Sequence, residues 1–317
     1  MKIPVILTLI LISFLLFNLI DNNDEVLVNN NIEQLYINDN LSTDTSKSNI
    51  NLNEILDGGP GKDGIPSINN PKFVSIDDSE FSDDTLGILI QSDTADKFYP
   101  YNILVWHEIV NDTIDDTPIS VTFCPLCGSA IVYNREIDGK ILNFGVSGKL
   151  FESNLLMYDD LTESLWSQAR GEAVVGEFLN TKLSVYSSDI ITQGEVKKSF
   201  PNSLSLSTET GVSRDYTFYP YGDYDESERL FFPISINDKR FPSKTLMYVI
   251  PTESNSIAFV REDLMNNKTA TKQDVTVVVQ DDGTFRATKN GNVLPGYTEM
   301  WFSWATHHQE DGIVWSN

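Results

Sequence analysis

The residues best suited to chemistry are the two cysteines of Cys124-Pro125-Leu126-Cys127-Gly128, the only ones in the chain. Two soft ligands in one tight turn can clamp a metal ion, form a reactive disulfide, or cap a loop without further chemistry. Two thiolates are half of a tetrahedral site, so a metal needs further ligands from the three histidines, from carboxylates or from Met157. His107 lies in the stretch leading to the turn and His308 ends an aromatic C-terminal segment. Cys124, Cys127, His107 and His308 are therefore the expected ligands, and His307 reads as an exposed helix-end residue. Such a Cys2His2 set suits Zn2+, whereas the thioether of Met157 moves the preference toward copper. Met157 also reads as packing beside Leu155 and Leu156.

Two other chemistries use the same sulfurs. In a thiol–disulfide enzyme of the thioredoxin type the first cysteine opens a helix, whose dipole lowers its pKa. Here the residues from Ser129 to Tyr133 are β-branched or aromatic and lead to the hairpin turn Asp138-Gly139, which predicts a strand instead. A disulfide with a structural or regulatory role stays open, as does a Cys/His nucleophile pair acting on an unknown substrate. Hydrolase motifs are missing: there is no Gly-x-Ser-x-Gly elbow or phosphate loop, and His107-Glu108 continues as Ile109-Val110-Asn111 without the second histidine of a zincin helix. The stretch Ser153 to Gln168 gathers polar residues that can line a pocket or form a hairpin turning at Asp159-Asp160.

The elements that must position these residues are mostly strands. Alternating or β-branched runs predict strands over 86–91, 119–123, 130–135, 140–146, 245–250 and 275–279. Short helices are expected near 102–108, 194–200 and 299–307, the last burying Trp301, Phe302 and Trp304. Laid on itself with an offset of 160 residues, the chain places Thr85–Ile90 on Thr245–Ile250 and Leu104 on Leu264; with a small gap, 119–123 falls on 275–279. The second copy carries Gln280-Asp281-Asp282-Gly283 where the first has its cysteines. The expected fold is mostly β, a β-rich α+β class with few short helices, in two lobes over 57–230 and 231–317 related by internal duplication.

The 317 residues carry a formal charge of -24, from 46 acidic and 22 basic residues. That surface repels phosphate backbones, so nucleic acid is not an expected partner. Lys2 precedes an apolar run over 3–20, about the length of a membrane span, and Asp21, Asp24 and Glu25 follow it. Residues 1–20 are thus expected to be a membrane anchor or signal peptide, with the body outside the cytoplasm. Sequons at Asn40, Asn111 and Asn267 fit export. Residues 21–56 read as a flexible polar stalk, and 57–66, with four glycines and two prolines, as a turn cluster entering the folded body.

Several motifs in one order carry a family resemblance: Gly58-Gly59-Pro60, Lys62-Asp63-Gly64-Ile65-Pro66, Trp106-His107-Glu108-Ile109-Val110-Asn111-Asp112 and Thr122-Phe123-Cys124-Pro125-Leu126-Cys127-Gly128-Ser129-Ala130. Phe144-Gly145-Val146-Ser147-Gly148, Met157-Tyr158-Asp159, Glu163-Ser164-Leu165-Trp166-Ser167-Gln168 and Trp301-Phe302-Ser303-Trp304-Ala305 continue it. From about residue 57 onward the chain resembles the DUF3179 family of exported proteins of uncharacterised function. The resemblance implies an extracytoplasmic, mostly β domain and no known activity. The reading that follows is an extracytoplasmic module binding a transition metal, Zn or Cu, for metal-binding or electron transfer, with a redox or metal-donor protein as partner. A thiol–disulfide role for Cys124 and Cys127 is the alternative.

Overall fold

The computed structural model describes residues 40–316. The apolar run over 3–20 and the first part of the expected stalk lie outside the described residues. Within them, no helix is long and apolar enough to cross a membrane.

The fold is β-rich. Its largest sheet has eight strands, in the order Gly312–Trp315, Ser256–Val260, Leu246–Pro251, Tyr297–Met300, Ser129–Asn134, Thr117–Cys124 and Ile109–Ile114, with Val185–Tyr186 added on Ser129–Asn134. Thr117–Cys124 is buried along almost its whole length because both of its faces are covered, with Ser120 and Thr122 among the buried residues. Strand alternation divides it: Ile119, Val121 and Phe123 enter one core with Ala130 and Val132, while Cys124 enters another with Ile131 and Tyr133. The register Thr122↔Ile131 and Cys124↔Ser129 then places Ser120, Thr122, Cys124, Ser129, Ile131 and Tyr133 on one face.

On that face lies a five-stranded sheet, Leu56–Asp57, Phe144–Phe151, Asn154–Asp159, Leu165–Ser167 and Glu172–Val175. The stretch read as a pocket wall or a hairpin is a hairpin, with Met157 opposite Trp166. Asp159 caps its turn, accepting from the amides of Leu161 and Thr162 and from Trp166 Nε1 at 2.9 Å. The register slips between Val146 and Lys149, where Gly148 has φ +76° and leaves no room for a Cβ against the Gly61 backbone.

The expected strands and three short helices are present, the latter as Tyr101–His107, Gln193–Ser199 and Trp301–His307. The run over 140–146 is divided into Lys140–Ile141 and Phe144–Phe151, and a helix, Arg261–Asn267, was not anticipated. The flexible-stalk expectation does not hold through 40–56. Leu41 and Ile55 pack with Leu156, Leu165, Val174 and Val175, and Leu56–Asp57 pairs with Leu150 and Lys149. A polar segment is held by backbone pairing and two apolar anchors, which composition does not reveal. The Asn111 sequon is sealed: its side chain is buried and donates to Asn69 Oδ1 and Phe144 O.

Two segments follow the same order of elements. Leu86–Ile90, Lys97–Pro100, Tyr101–His107, Ile109–Ile114, Thr117–Cys124 and Ser129–Asn134 are echoed by Leu246–Pro251, Ser256–Val260, Arg261–Asn267, Thr269–Lys272, Val275–Val279 and Phe285–Lys289. The large sheet runs across the expected boundary at 230 and 231, since Thr298 pairs with Ala130.

Candidate functional site: a buried dithiol

The cysteines close the hairpin between Thr117–Cys124 and Ser129–Asn134. Cys127 N donates to Cys124 O at 3.1 Å, and Gly128 follows with φ +53°, a conformation that favours glycine. A Cβ there would sit 3.1 Å from Met300 Cγ and Cε. Met300 N in turn donates to Cys127 O at 2.9 Å, fastening the turn to the joint between the Tyr297–Met300 strand and the Trp301–His307 helix. Both thiols are free and buried.

Their environments differ. Burial by itself raises the Cys124 pKa, but the Cys127 thiol and the amides of Leu155, Cys127 and Leu126 all favour the thiolate, and the net effect is a lowered pKa. Cys127 is pushed up, by burial first and then by its neighbour Cys124, against the polar influence of the Asn154 and Ser303 side chains. Its thiol is also 3.1 Å from Ser153 O, to which it donates. The pair therefore consists of one sulfur prepared for negative charge and one that keeps its proton.

A polar network supports the turn. Gln168 Oε1 accepts from Ser129 Oγ at 2.7 Å and Asn154 Nδ2 at 2.9 Å, while Gln168 Nε2 donates to Thr122 Oγ1 at 3.0 Å. Asn154 Oδ1 accepts from Ala169 N, and Tyr133 OH donates to Gln168 O at 2.5 Å. Every one of these side chains is buried, so the network holds Cys124 and the 154–168 hairpin in fixed register.

Two buried carboxyls face the sulfurs. Glu299, 0% exposed, is pushed up to about 8, first by burial and further by the Cys124 charge, against the polar influence of the Ser303 hydroxyl and the hydrogen bond from Tyr297. Glu108 is pushed well above its ordinary value by burial and by Cys124. Neither was anticipated. The available sign was an acid inside apolar surroundings, Tyr297-Thr298-Glu299-Met300-Trp301 and Trp106-His107-Glu108-Ile109-Val110.

The histidines go elsewhere. His107, 0% exposed, has both ring nitrogens engaged, with Pro66 O at 2.7 Å and Tyr216 OH at 2.8 Å, and burial lowers its pKa. His308 Nδ1 pairs with Asp311 Oδ1 at 3.0 Å and its ring lies against Trp304. His307, read as exposed, packs edge-on against Phe151, and burial pushes it down to about 4. Among the described residues no three His, Cys, Asp or Glu side chains are gathered as a metal-binding group. His107 is thus held by Pro66 and Tyr216 and His308 Nδ1 by Asp311, while His307 sits on the helix fastened to the cysteine turn, with Nδ1 at Ser303 O.

Over the turn runs the segment 207–244, whose regular structure is one 3-10 turn, Tyr224–Glu226. Tyr224, 0% exposed, donates from its hydroxyl to Leu126 O at 2.8 Å. Lys244 Nζ lies 3.4 Å from the Tyr224 ring centroid and donates to the carbonyls of Tyr224, Ser227 and Arg229. This strap closes the cysteines off from solvent.

The family described as "Protein of unknown function (DUF3179)" matches residues 62–293, which include the turn, the polar network and the strap. The chain belongs to the DUF3179 family. No curated protein and no solved structure matches it.

Proposed function

We propose that this DUF3179 protein is a thiol–disulfide redox protein whose Cys124 and Cys127 cycle between dithiol and disulfide. The observation that carries the reading is the opposed tuning of the two sulfurs in one turn, Cys124 favoured as thiolate and Cys127 as thiol. Thiolate is the attacking species in disulfide exchange, and a protonated neighbour held beside it is the resolving group. Cys124 attacks a partner disulfide and forms a mixed disulfide, releasing one partner thiolate. Cys127, on losing its proton, attacks Cys124 Sγ, closes the intramolecular disulfide and releases the second partner thiol. Two electrons pass from the dithiol to the partner disulfide. The test is equilibration in dithiothreitol buffers of graded potential, with alkylation and mass spectrometry. One reversible Cys124–Cys127 disulfide is expected; two cysteines that stay reduced in oxidising buffer overturn the reading.

A metal reading survives in a reduced form. A soft monovalent copper ion needs only the two sulfurs, and Met300 lies beside the turn as a thioether neighbour. Elemental analysis of the copper-loaded protein against Cys124→Ser/Cys127→Ser checks it: equal copper in both removes it. The proposed setting is outside the cytoplasm, anchored by residues 1–20. An oxidising compartment and a redox or metal-donor protein partner go with it. Membrane fractionation of the full chain against one lacking 1–20 tests the anchor, and an unchanged distribution refutes it.

We also infer an internal duplication. Glu108 and Lys268 both have positive φ at the ends of their helices, and each accepts from the second strand after its helix, Phe123 N to Glu108 O at 2.7 Å and Val279 N to Lys268 O at 2.8 Å. Asp189–Thr192 pairs with 86–89 as Tyr297–Met300 pairs with 246–249, ending in Thr192↔Leu86 and Met300↔Leu246. An experimental structure in which 86–131 fails to superpose on 246–287 overturns this.

A further inference from the structure

We propose that Glu299 takes the proton of the Cys127 thiol, by way of the Ser303 hydroxyl, when the Cys124–Cys127 disulfide closes. This rests on the dithiol reading above and names the group that completes it.

The geometry begins with the strand-to-helix joint. Met300 N holds Cys127 O, so the residues on either side of Met300 are brought to the sulfurs: Glu299 from the strand and Ser303 from the first turn of the helix. Ser303 influences Cys127 on one side and Glu299 on the other. Glu299 Oε1 accepts from Tyr297 OH at 3.2 Å, but Glu299 Oε2 and Ser303 Oγ are both buried with no formed hydrogen bond. Buried polar atoms are nearly always satisfied. Both atoms belong to the segment that Met300 N fastens to Cys127 O, and both have capacity to spare: Ser303 can pass a proton on as it receives one, and Glu299 Oε2 has a free lone pair for it.

The proton balance requires such a group. Closure forms the Cys127–Cys124 S–S bond and breaks the bond from Cys124 to the partner sulfur, which leaves as thiolate, so the Cys127 proton must depart inside a site closed off by Tyr224 and the strap. Glu299 accepts it and later returns it to the departing thiolate or to water. The ionised fraction of Glu299 is the acceptor; it grows as pH approaches about 8, and a carboxylate raised that far is a stronger base than an ordinary one. The other titratable groups facing this cluster are Glu108, Tyr221 and Tyr224 on the Cys124 side, Tyr133 and Tyr297 beside Glu299, and His307, whose Nδ1 lies 2.8 Å from Ser303 O and which burial keeps neutral. The tyrosines are all held protonated by burial. Glu108 is the competing acid, but its backbone is tied to the Cys124 side of the turn, where Phe123 N donates to Glu108 O at 2.7 Å, whereas Glu299 adjoins Met300, whose N holds Cys127 O.

The experiment mixes reduced protein with a dipyridyl disulfide, which releases one coloured thione on attack by Cys124 and a second on closure. In wild type the second phase accelerates as pH rises through the Glu299 range. Glu299→Gln is expected to slow the second phase on the order of 100-fold near neutral pH, leaving the first phase in place and moving the inflection up to that of Cys127 itself. Ser303→Ala slows the same phase, Glu299→Asp retains part of it, and Glu108→Gln leaves it unchanged. Infrared difference spectra of oxidised minus reduced protein are expected to carry a protonated-carboxyl band that Glu299→Gln lacks. A wild type that shows no second release and no disulfide overturns the redox reading itself. A wild type that closes normally, with Glu299→Gln and Ser303→Ala unaltered or with Glu108→Gln altered instead, overturns only the role of Glu299.

Discussion

Replacing Glu299 with Gln gives a stability test that does not depend on any redox partner. The carboxyl is raised from 4.5 to about 8 in the folded protein, with burial as the main cause. An acid raised on folding keeps its proton where the unfolded chain has lost it, so between the two values the native state binds more protons and stability falls as pH rises. Below the unfolded value this penalty is absent, and above about 8 it is complete. At about 1.4 kcal/mol per unit the full penalty is on the order of 5 kcal/mol, an upper figure because an ionised group relaxes toward water. Gln is isosteric and cannot ionise. Its own deficit, the altered contact with Tyr297 OH, is about 1 kcal/mol and does not depend on pH in this range. Glu299→Gln is therefore slightly less stable than wild type at about pH 5 and several kcal/mol more stable at about pH 9. Cys124 moves in the opposite sense, because a lowered pKa adds stability above that value, but it is present in both proteins and cancels in the comparison. Urea unfolding of both reduced proteins at the two pH values measures the difference. A stability gap of the same size and sign at both refutes the argument that Glu299 is buried as an acid.

Other substitutions probe the parts that hold the site. Gly128→Ala forces a side chain into a φ of +53° and against Met300, and a loss of about 1–2 kcal/mol in urea unfolding is expected, with the thiolate absorbance of Cys124 shifted to higher pH. Gln168→Leu strips partners from Ser129, Asn154 and Thr122 and is expected to lower stability by about 3 kcal/mol; a loss under about 1 kcal/mol shows that the network is dispensable. Tyr224→Phe removes the hydroxyl contact with Leu126 O, about 1 kcal/mol of strap closure, so native-state alkylation of Cys124 accelerates about five-fold. Asp189, raised from 3.8 to about 7 mainly by burial, accepts from Phe285 N at 2.8 Å at the other strand-to-helix joint. Asp189→Asn is expected to flatten the decline of stability between about pH 4 and pH 7 without moving the thiolate titration, and a moved titration contradicts the separateness of the two joints.

How far the site can be read from residues alone differs from part to part. The β-branched runs at 119–123 and 275–279 announce their strands, and the residues from Ser129 to Tyr133 announce that the cysteines end a strand instead of opening a helix, because side-chain period and branching are local properties. The Gly-Pro cluster at 57–66 likewise marks a turn, and it meets the bulge at Gly148. The ligand set was not legible, because spacing does not say which loop faces which. His107 precedes the cysteines by one hairpin, yet its ring turns to Pro66 and to Tyr216 on the strap. Glu299 is the converse. It lies 172 positions beyond Cys127 in the sequence, and only the pairing of its strand with Ser129–Asn134 brings it there. Residues 40–56 were misread for a related reason, since their attachment is made through backbone pairing at Leu56 and through two anchors, Leu41 and Ile55, in an otherwise polar stretch.

The same strand-to-helix joint occurs twice, and comparing the two explains why the chemistry is confined to one. At the first, Trp301 N donates to Thr245 O; at the second, Gln193 N donates to Thr85 O. The hairpin turns facing the joints differ. Cys124-Pro125-Leu126-Cys127 meets Glu299, whereas the turn at 280–283 leads into Phe285, which meets Asp189. The two raised acids do not occupy matching places: the register matches Glu299 to Ile191 and Asp189 to Tyr297, so only the cysteine joint carries an acid next to its strand end. A raised acid destabilises the fold at neutral pH wherever it occurs, so a purely structural role does not account for both. At the cysteine-free joint the acid binds Phe285 N and closes one segment onto the other. At the cysteine joint that clasp is made by backbone, through Met300 N and Cys127 O, which leaves one oxygen of Glu299 uncommitted. Under the proposed redox reading that oxygen is the proton acceptor, and Ile191 at the matching position is why no such exchange is expected at the other joint.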